Sequence, residues 1–170
     1  MTAVSGAVLV GMADIQVLRG GGQLTCLGLG SCIGLCGFDP VSKVAGMVHV
    51  MLPEAFAGKL VEKPGKFADT GIPALLEAMK KAGAETSRII FAMAGGAQVF
   101  KFGANAESRL DIGARNAVAV TNALKQLGMK VVASDTGGNN GRTVNFTVET
   151  GAFTVRTVTA GEKTLCNLKG

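Results

Sequence analysis

Residues 33–52, IGLCGFDPVSKVAGMVHVML, decide the fold. Two apolar runs of strand length, residues 33–38 and 44–52, flank Asp39-Pro40-Val41-Ser42, whose aspartate and proline favour a turn. Together they predict a β-hairpin. Both faces of the runs are apolar, so the sheet that holds them is covered on both sides. With Phe38 set opposite Lys43 at the neck, the register carries back to place Cys32 directly opposite His49. Such opposed residues have Cβ atoms about 4.5–5.5 Å apart, close enough for a thiol to meet an imidazole.

Outward from this hairpin, runs rich in β-branched residues at 7–10, 15–18, 88–93, 130–134, 143–148 and 153–158 predict further strands. The last two, joined at Glu149-Thr150-Gly151, read as a C-terminal hairpin. Two amphipathic helices interrupt the strands. One spans residues 70–82, with Thr70 as N-cap, Pro73 in its first turn, and Ile72, Leu75, Leu76 and Met79 at helical spacing before Gly83. The other runs from an Asp111 N-cap through Ile112, Val118 and Leu124 to Leu127, closed by Gly128. The expectation is one α/β domain over residues 1–170, a mixed and largely antiparallel sheet with helices packed on it.

Composition narrows the function. Hydrophobic residues make up 48% of the 170 and charged residues 17%, ample for a core. The net charge of +5 is scattered along a chain without tryptophan or tyrosine, which argues against nucleic acid and fits an acidic protein partner. The opening apolar run has no basic segment before it and is broken by Gly6 and Gly11, which predicts no signal sequence, no membrane insertion and a cytoplasmic protein. Its four cysteines are then expected to be reduced.

His49 is the only histidine. Alone in an apolar strand it reads as a satisfied core residue, and Cys32 alone reads as a small buried hydrophobe. Their shared register points instead to a cysteine nucleophile with a histidine base. Before Cys32, Leu27-Gly28-Leu29-Gly30-Ser31 lets the backbone turn and brings the N–H groups of Ser31 and Cys32 near the sulfur as oxyanion donors. A rival reading takes Cys26, Cys32, Cys36 and His49 as a zinc site, but the spacing contains no CxxC knuckle. Cys36 stands about 13 Å farther along a regular strand than Cys32. It reads as core, as does Cys166.

Six collinear blocks then carry a resemblance: LGLGSC ending at Cys32, AGMVHVMLP around His49, KFAD at 66–69, AGGA at 94–97, IGARN at 112–116, and SDTGG followed by Gly141-Arg142. The chain resembles the CheD family of chemoreceptor glutamine deamidases. The resemblance implies a three-layer α/β sandwich and a cysteine–histidine mechanism that converts glutamine side chains of methyl-accepting chemotaxis receptors to glutamate. It also implies no metal or organic cofactor, and a CheC-type chemotaxis phosphatase as docking partner.

In that family a threonine six residues before the nucleophile completes the triad, and here the position is Cys26. Thr25, its neighbour, points to the opposite face of an extended strand and cannot substitute. Since a thiol accepts hydrogen bonds weakly, Cys26 is expected in contact with His49 while a backbone carbonyl or water orients the ring, and Cys26→Thr is expected to gain rate. The alternative is a catalytically weak module that docks the phosphatase. Gly95-Gly96 and the segment Gly137 to Gly141 read either as a cleft rim or as tight turns. Arg115 and Arg142 read as loop anchors, contacts to acidic receptor helices, or solvated charges.

Overall fold

A computed structural model describes residues 7–55, 60–98, 111–129 and 131–169. Residues 1–6 and Lys130, on which parts of two sequence readings rest, lie outside it. Among the described residues ten strands form two five-stranded sheets. The first has the order β1 (Ala7–Leu9), β3 (Gln23–Leu29), β8 (Arg142–Thr147), β9 (Ala152–Thr157), β10 (Gly161–Asn167). The second has the order β2 (Ile15–Arg19), β5 (Val44–Val50), β4 (Ile33–Asp39), β6 (Ile90–Gly95), β7 (Val131–Thr136). Each contains one parallel pair, β1 with β3 and β6 with β7, and is otherwise antiparallel.

Two cores define the layers. Cys36, Phe38, Ala45 and Met47 of the second sheet pack against Leu24, Cys26, Val144 and Phe146 of the first. The alternate residues Ile33, Leu35 and Val48 pack against α1 (Ala68–Lys81) and α2 (Ile112–Gln126). The order is helices, sheet, sheet: a three-layer α/β sandwich in which the predicted second cover of the central sheet is another sheet. β4 and β5 are buried along their whole length because both faces are covered.

α2 starts where predicted, with the Asp111 carboxylate accepting from Ala114 N–H at 3.0 Å and Gly128 beyond its end at φ 74°. α1 starts earlier than predicted. A 3-10 turn at Pro64–Lys66 feeds it, Phe67 is its N-cap, and the Thr70 hydroxyl donates to Pro64 O at 2.6 Å instead of capping. The C-terminal hairpin is present, Thr147 pairing with Ala152.

The β4–β5 hairpin forms in a different register from the predicted one. Phe38 pairs with Ala45 and Asp39 with Val44, so the loop is residues 40–43 and Gly34, not Cys32, lies opposite His49. Asp39 accounts for the difference. Its fully buried carboxylate accepts from Arg88 at 2.9 and 2.8 Å and from the N–H groups of Glu85 and Val41 at 2.9 and 3.0 Å, which keeps the residue inside the ladder. Lys43 closes the loop at φ 58°, its N–H donating to Asp39 O at 2.8 Å.

Candidate active site

His49 is 4% exposed and sits on the face of β5 that looks toward the first sheet, with Ala45 and Met47. The turn between β1 and β2 cradles it. Ala13 N–H donates to His49 O at 3.0 Å, His49 N–H donates to Asp14 O at 3.1 Å, and Nδ1 lies 3.1 Å from Val10 O. A carbonyl only accepts, so Nδ1 is the donor of this bond and Nε2 is the ring nitrogen left facing away from Val10. Ala13 makes this turn at φ 67°, a left-handed conformation that its sequence does not advertise.

Cys32 lies just before β4 and packs, partly buried, against the core between the sheets. By alternation it shares the face of Gly34, Cys36 and Phe38. It therefore packs, one residue before the ladder begins, against the same inter-sheet core that the His49 face of β5 looks into. Gly34 is the direct cross-strand partner of His49, and Leu29, Val144 and Cys26 fill the space in front of it. Burial pushes the Cys32 thiol above its ordinary pKa, so it rests protonated at neutral pH.

Cys26 stands on β3 across the inter-sheet core, fully buried, its Sγ donating to Met47 Sδ at 3.4 Å. Burial, and then the charge of Cys32, pushes its thiol up to about 12. The imidazole Nδ1 is held by the Val10 carbonyl, while the Cys26 thiol is directed at Met47. Thr25 faces away, its hydroxyl donating to Asn145 Oδ1 at 2.6 Å. Cys36 is fully buried core and Cys166 packs partly buried against the same core. Among the described residues no group of three or more His, Cys, Asp or Glu side chains converges to hold a metal ion.

The glycine blocks are spent on holding the backbone of Cys32. Its carbonyl accepts from Gly96 N–H at 2.9 Å, and Ala97 N–H donates to Gly30 O at 2.8 Å. A Cβ on Gly95 would lie 2.1 Å from Cys32 O, so only glycine admits this approach. Arg142, 8% exposed, donates to Gly95 O at 3.0 Å and Gly137 O at 2.8 Å and thereby anchors both glycine turns. These are the tight-turn and loop-anchor readings of the sequence. Arg115 lies in the first turn of α2 on its exposed side.

Sequence reasoning missed two contributors. One is the residue 10–14 turn that fixes His49, for which no motif signals. The other is Asn116 in the IGARN block, whose Nδ2 donates to Ser31 O and Met51 O, both at 2.9 Å. A polar side chain at a helix position facing the core was the available signal.

Comparison with known proteins identifies the family. A family model described as CheD chemotactic sensory transduction matches residues 51–157. The chain is 48% identical over 156 residues to the probable chemoreceptor glutamine deamidase CheD of Caldanaerobacter subterraneus subsp. tengcongensis, covering 91% of this chain and 94% of that one. It is 44% identical over 155 residues to the chemoreceptor glutamine deamidase CheD of Thermotoga maritima, covering 91% and 94%. The same identity over 157 residues, covering 92% and 96%, relates it to the enzyme of that name from Halalkalibacterium halodurans. With more than half its length matched by the family and relatives this similar over nearly their whole length, the chain belongs to the CheD family.

Proposed function

We propose that this chain is a glutamine deamidase of bacterial chemoreceptors, one 170-residue cytoplasmic domain acting in chemotaxis adaptation, with Cys32 as nucleophile and His49 as base. The observation that carries the reading is the fixed imidazole: the one histidine has Nδ1 tied to Val10 O and lies on the face of β5 that looks into the inter-sheet core against which Cys32 packs. The names of the relatives supply the substrate class.

Because the resting thiol is protonated, proton transfer accompanies attack. His49 Nε2 takes the Sγ proton as Sγ bonds to the carboxamide carbon, and the oxygen gathers negative charge facing the backbone N–H groups of Ser31 and Cys32. The tetrahedral intermediate collapses with cleavage of the C–N bond, and His49 gives its proton to departing ammonia. A water molecule then attacks the thioester, His49 taking its proton. The carboxylate leaves and the thiol is restored. Each step needs only groups of this chain and water.

In this scheme the Val10 carbonyl does the orienting that a third side chain would do, and Cys26 packs in the inter-sheet core against Met47. Trypsin digestion and mass spectrometry of a receptor cytoplasmic fragment test the reading: glutamine-to-glutamate conversion is expected with wild type and absent with Cys32→Ala or Cys32→Ser. Full conversion by Cys32→Ala would refute it. The substitution of Cys26 for the family threonine favours a second reading, a weakly catalytic module that docks a CheC-type phosphatase; binding to the phosphatase without any deamidation would select it.

A further inference from the structure

Asn116 is fully buried, and its carboxamide is oriented without ambiguity: both partners of Nδ2 are carbonyls, so the nitrogen faces the hairpin and the oxygen faces away. Among the described residues that oxygen has no hydrogen-bond partner. A buried unpaired acceptor opposes folding, so what this side chain contributes lies in its two donors. Its two carbonyls mark where the β4–β5 ladder ends. The last pair is Ile33 with Val50, and beyond it Met51 N–H turns to Lys66 O at 2.9 Å while Cys32 O is taken by Gly96 N–H. Asn116 spans the parted ends, one donor to each side. One turn earlier on α2, Gly113 lets the helix settle onto Gly96, where a Cβ would lie 2.5 Å from the backbone, and this sets the depth of Asn116.

We propose that Asn116 is a positioning residue for deamidation: by holding Ser31 O it turns the Cys32 N–H toward the substrate as an oxyanion donor. In a trans peptide the C=O and the following N–H point in opposite directions. Asn116 draws Ser31 O toward the helix layer, so Cys32 N–H faces the side between the sheets, where the Cys32 side chain packs and His49 lies. Removing one preorganised oxyanion donor costs about 10²–10³ in kcat. The inference rests on the reading of Cys32 as nucleophile.

The test is Asn116→Leu, of similar volume but without donors. Deamidation kcat on a receptor fragment is expected to fall about 100-fold with KM within about twofold. Alkylation of Cys32 by iodoacetamide, a displacement that forms no oxyanion, is expected to keep its rate and pH profile. An unchanged kcat would overturn the proposal, and so would alkylation falling in step with kcat, which marks a merely structural role. Should the leucine variant not fold, Asn116→Asp replaces it: the neutral carboxyl donates one hydrogen bond and the carboxylate none, so its kcat relative to wild type should fall as pH rises. A ratio constant with pH would overturn the proposal. Wild type and Cys32→Ala run alongside separate the two claims. An inactive wild type, or an active Cys32→Ala, fells the nucleophile reading; Cys32-dependent activity that survives intact in Asn116→Leu fells only the role of Asn116.

Discussion

Gly34→Ala separates the two faces of the central hairpin. The added Cβ would lie 3.1 Å from Leu29 Cδ1, 3.3 Å from Val144 Cγ2 and 3.4 Å from Cys26 Sγ, all on fully buried residues with no solvent to move into. Overpacking of this kind costs about 1–3 kcal/mol, and the lost flexibility of the unfolded glycine returns roughly 0.5–1 kcal/mol. The net expectation is a destabilisation of about 1–2 kcal/mol in urea unfolding. Since Gly34 is the direct cross-strand partner of His49, the methyl group also crowds the imidazole, and kcat should fall by at least about tenfold. Gly37→Ala is the control. Its Cβ would meet Phe91 Cε1 at 2.9 Å and Ile89 Cγ2 at 3.0 Å, on the helix side of the same strand. It should destabilise at least as much yet leave kcat of the folded fraction near wild type. A Gly34→Ala protein with full kcat, or equal loss of kcat in both variants, would refute the placement of the reaction between the sheets.

Other expectations follow from the same geometry. Cys26→Thr, expected from sequence to gain rate, should gain less than about twofold, because Val10 O already holds Nδ1 and position 26 faces Met47; a tenfold gain by steady-state assay would show that the third side chain limits the rate. Alkylation of Cys32 in free enzyme should rise with pH through a pKa above that of an exposed thiol, since burial favours the neutral form, and a midpoint below that of a free cysteine would contradict a resting thiol. Asp39 is held below the usual carboxylate range: burial acts upward, but hydrogen bonds from Arg88, Glu85 N–H, Ser42 and Val41 N–H outweigh it. Its contribution is therefore present above about pH 4 and lost as pH falls through the folded value, so Asp39→Ala, which leaves the Glu85 and Val41 N–H groups without their acceptor while Arg88 can turn to solvent, should cost about 1–3 kcal/mol near neutrality and less in acid; a pH-independent cost would argue against this linkage.

The hydrophobic pattern carried most of the architecture. Alternation and unbroken apolar runs identified β4 and β5 as covered on both sides, and Asp111 and Gly128 marked the ends of α2. Two strands escaped it. β3 hides behind glycines at 22, 28 and 30 that read as turns, and β10, GEKTLCN, is an exposed edge strand whose apolar residues are few. That the covering layer on one side is a second sheet is a tertiary fact that strand runs alone do not carry.

Cys32 and His49 were legible as a pair because they flank one hairpin, but their register was not. The left-handed Lys43 and the long-range bonds of Asp39 to Arg88 and Glu85 move the loop, and both lie beyond local turn rules. The cradle of His49 depends on a left-handed alanine at position 13, and the clamp of Asn116 on contacts 85 and 65 residues apart in sequence. Local pattern found the reacting groups. What orients them is set by packing between layers.

The central claim is that glutamine side chains pass through a thioester on Cys32. Rapid mixing of enzyme with a receptor fragment, acid quenching and intact mass spectrometry test it most directly. The expected result is a transient covalent adduct of enzyme and fragment, lighter than their sum by one ammonia, mapped by digestion to Cys32 and absent in Cys32→Ala. Deamidation at the wild-type rate with no adduct at any quench time, or with an adduct on another residue, would contradict it.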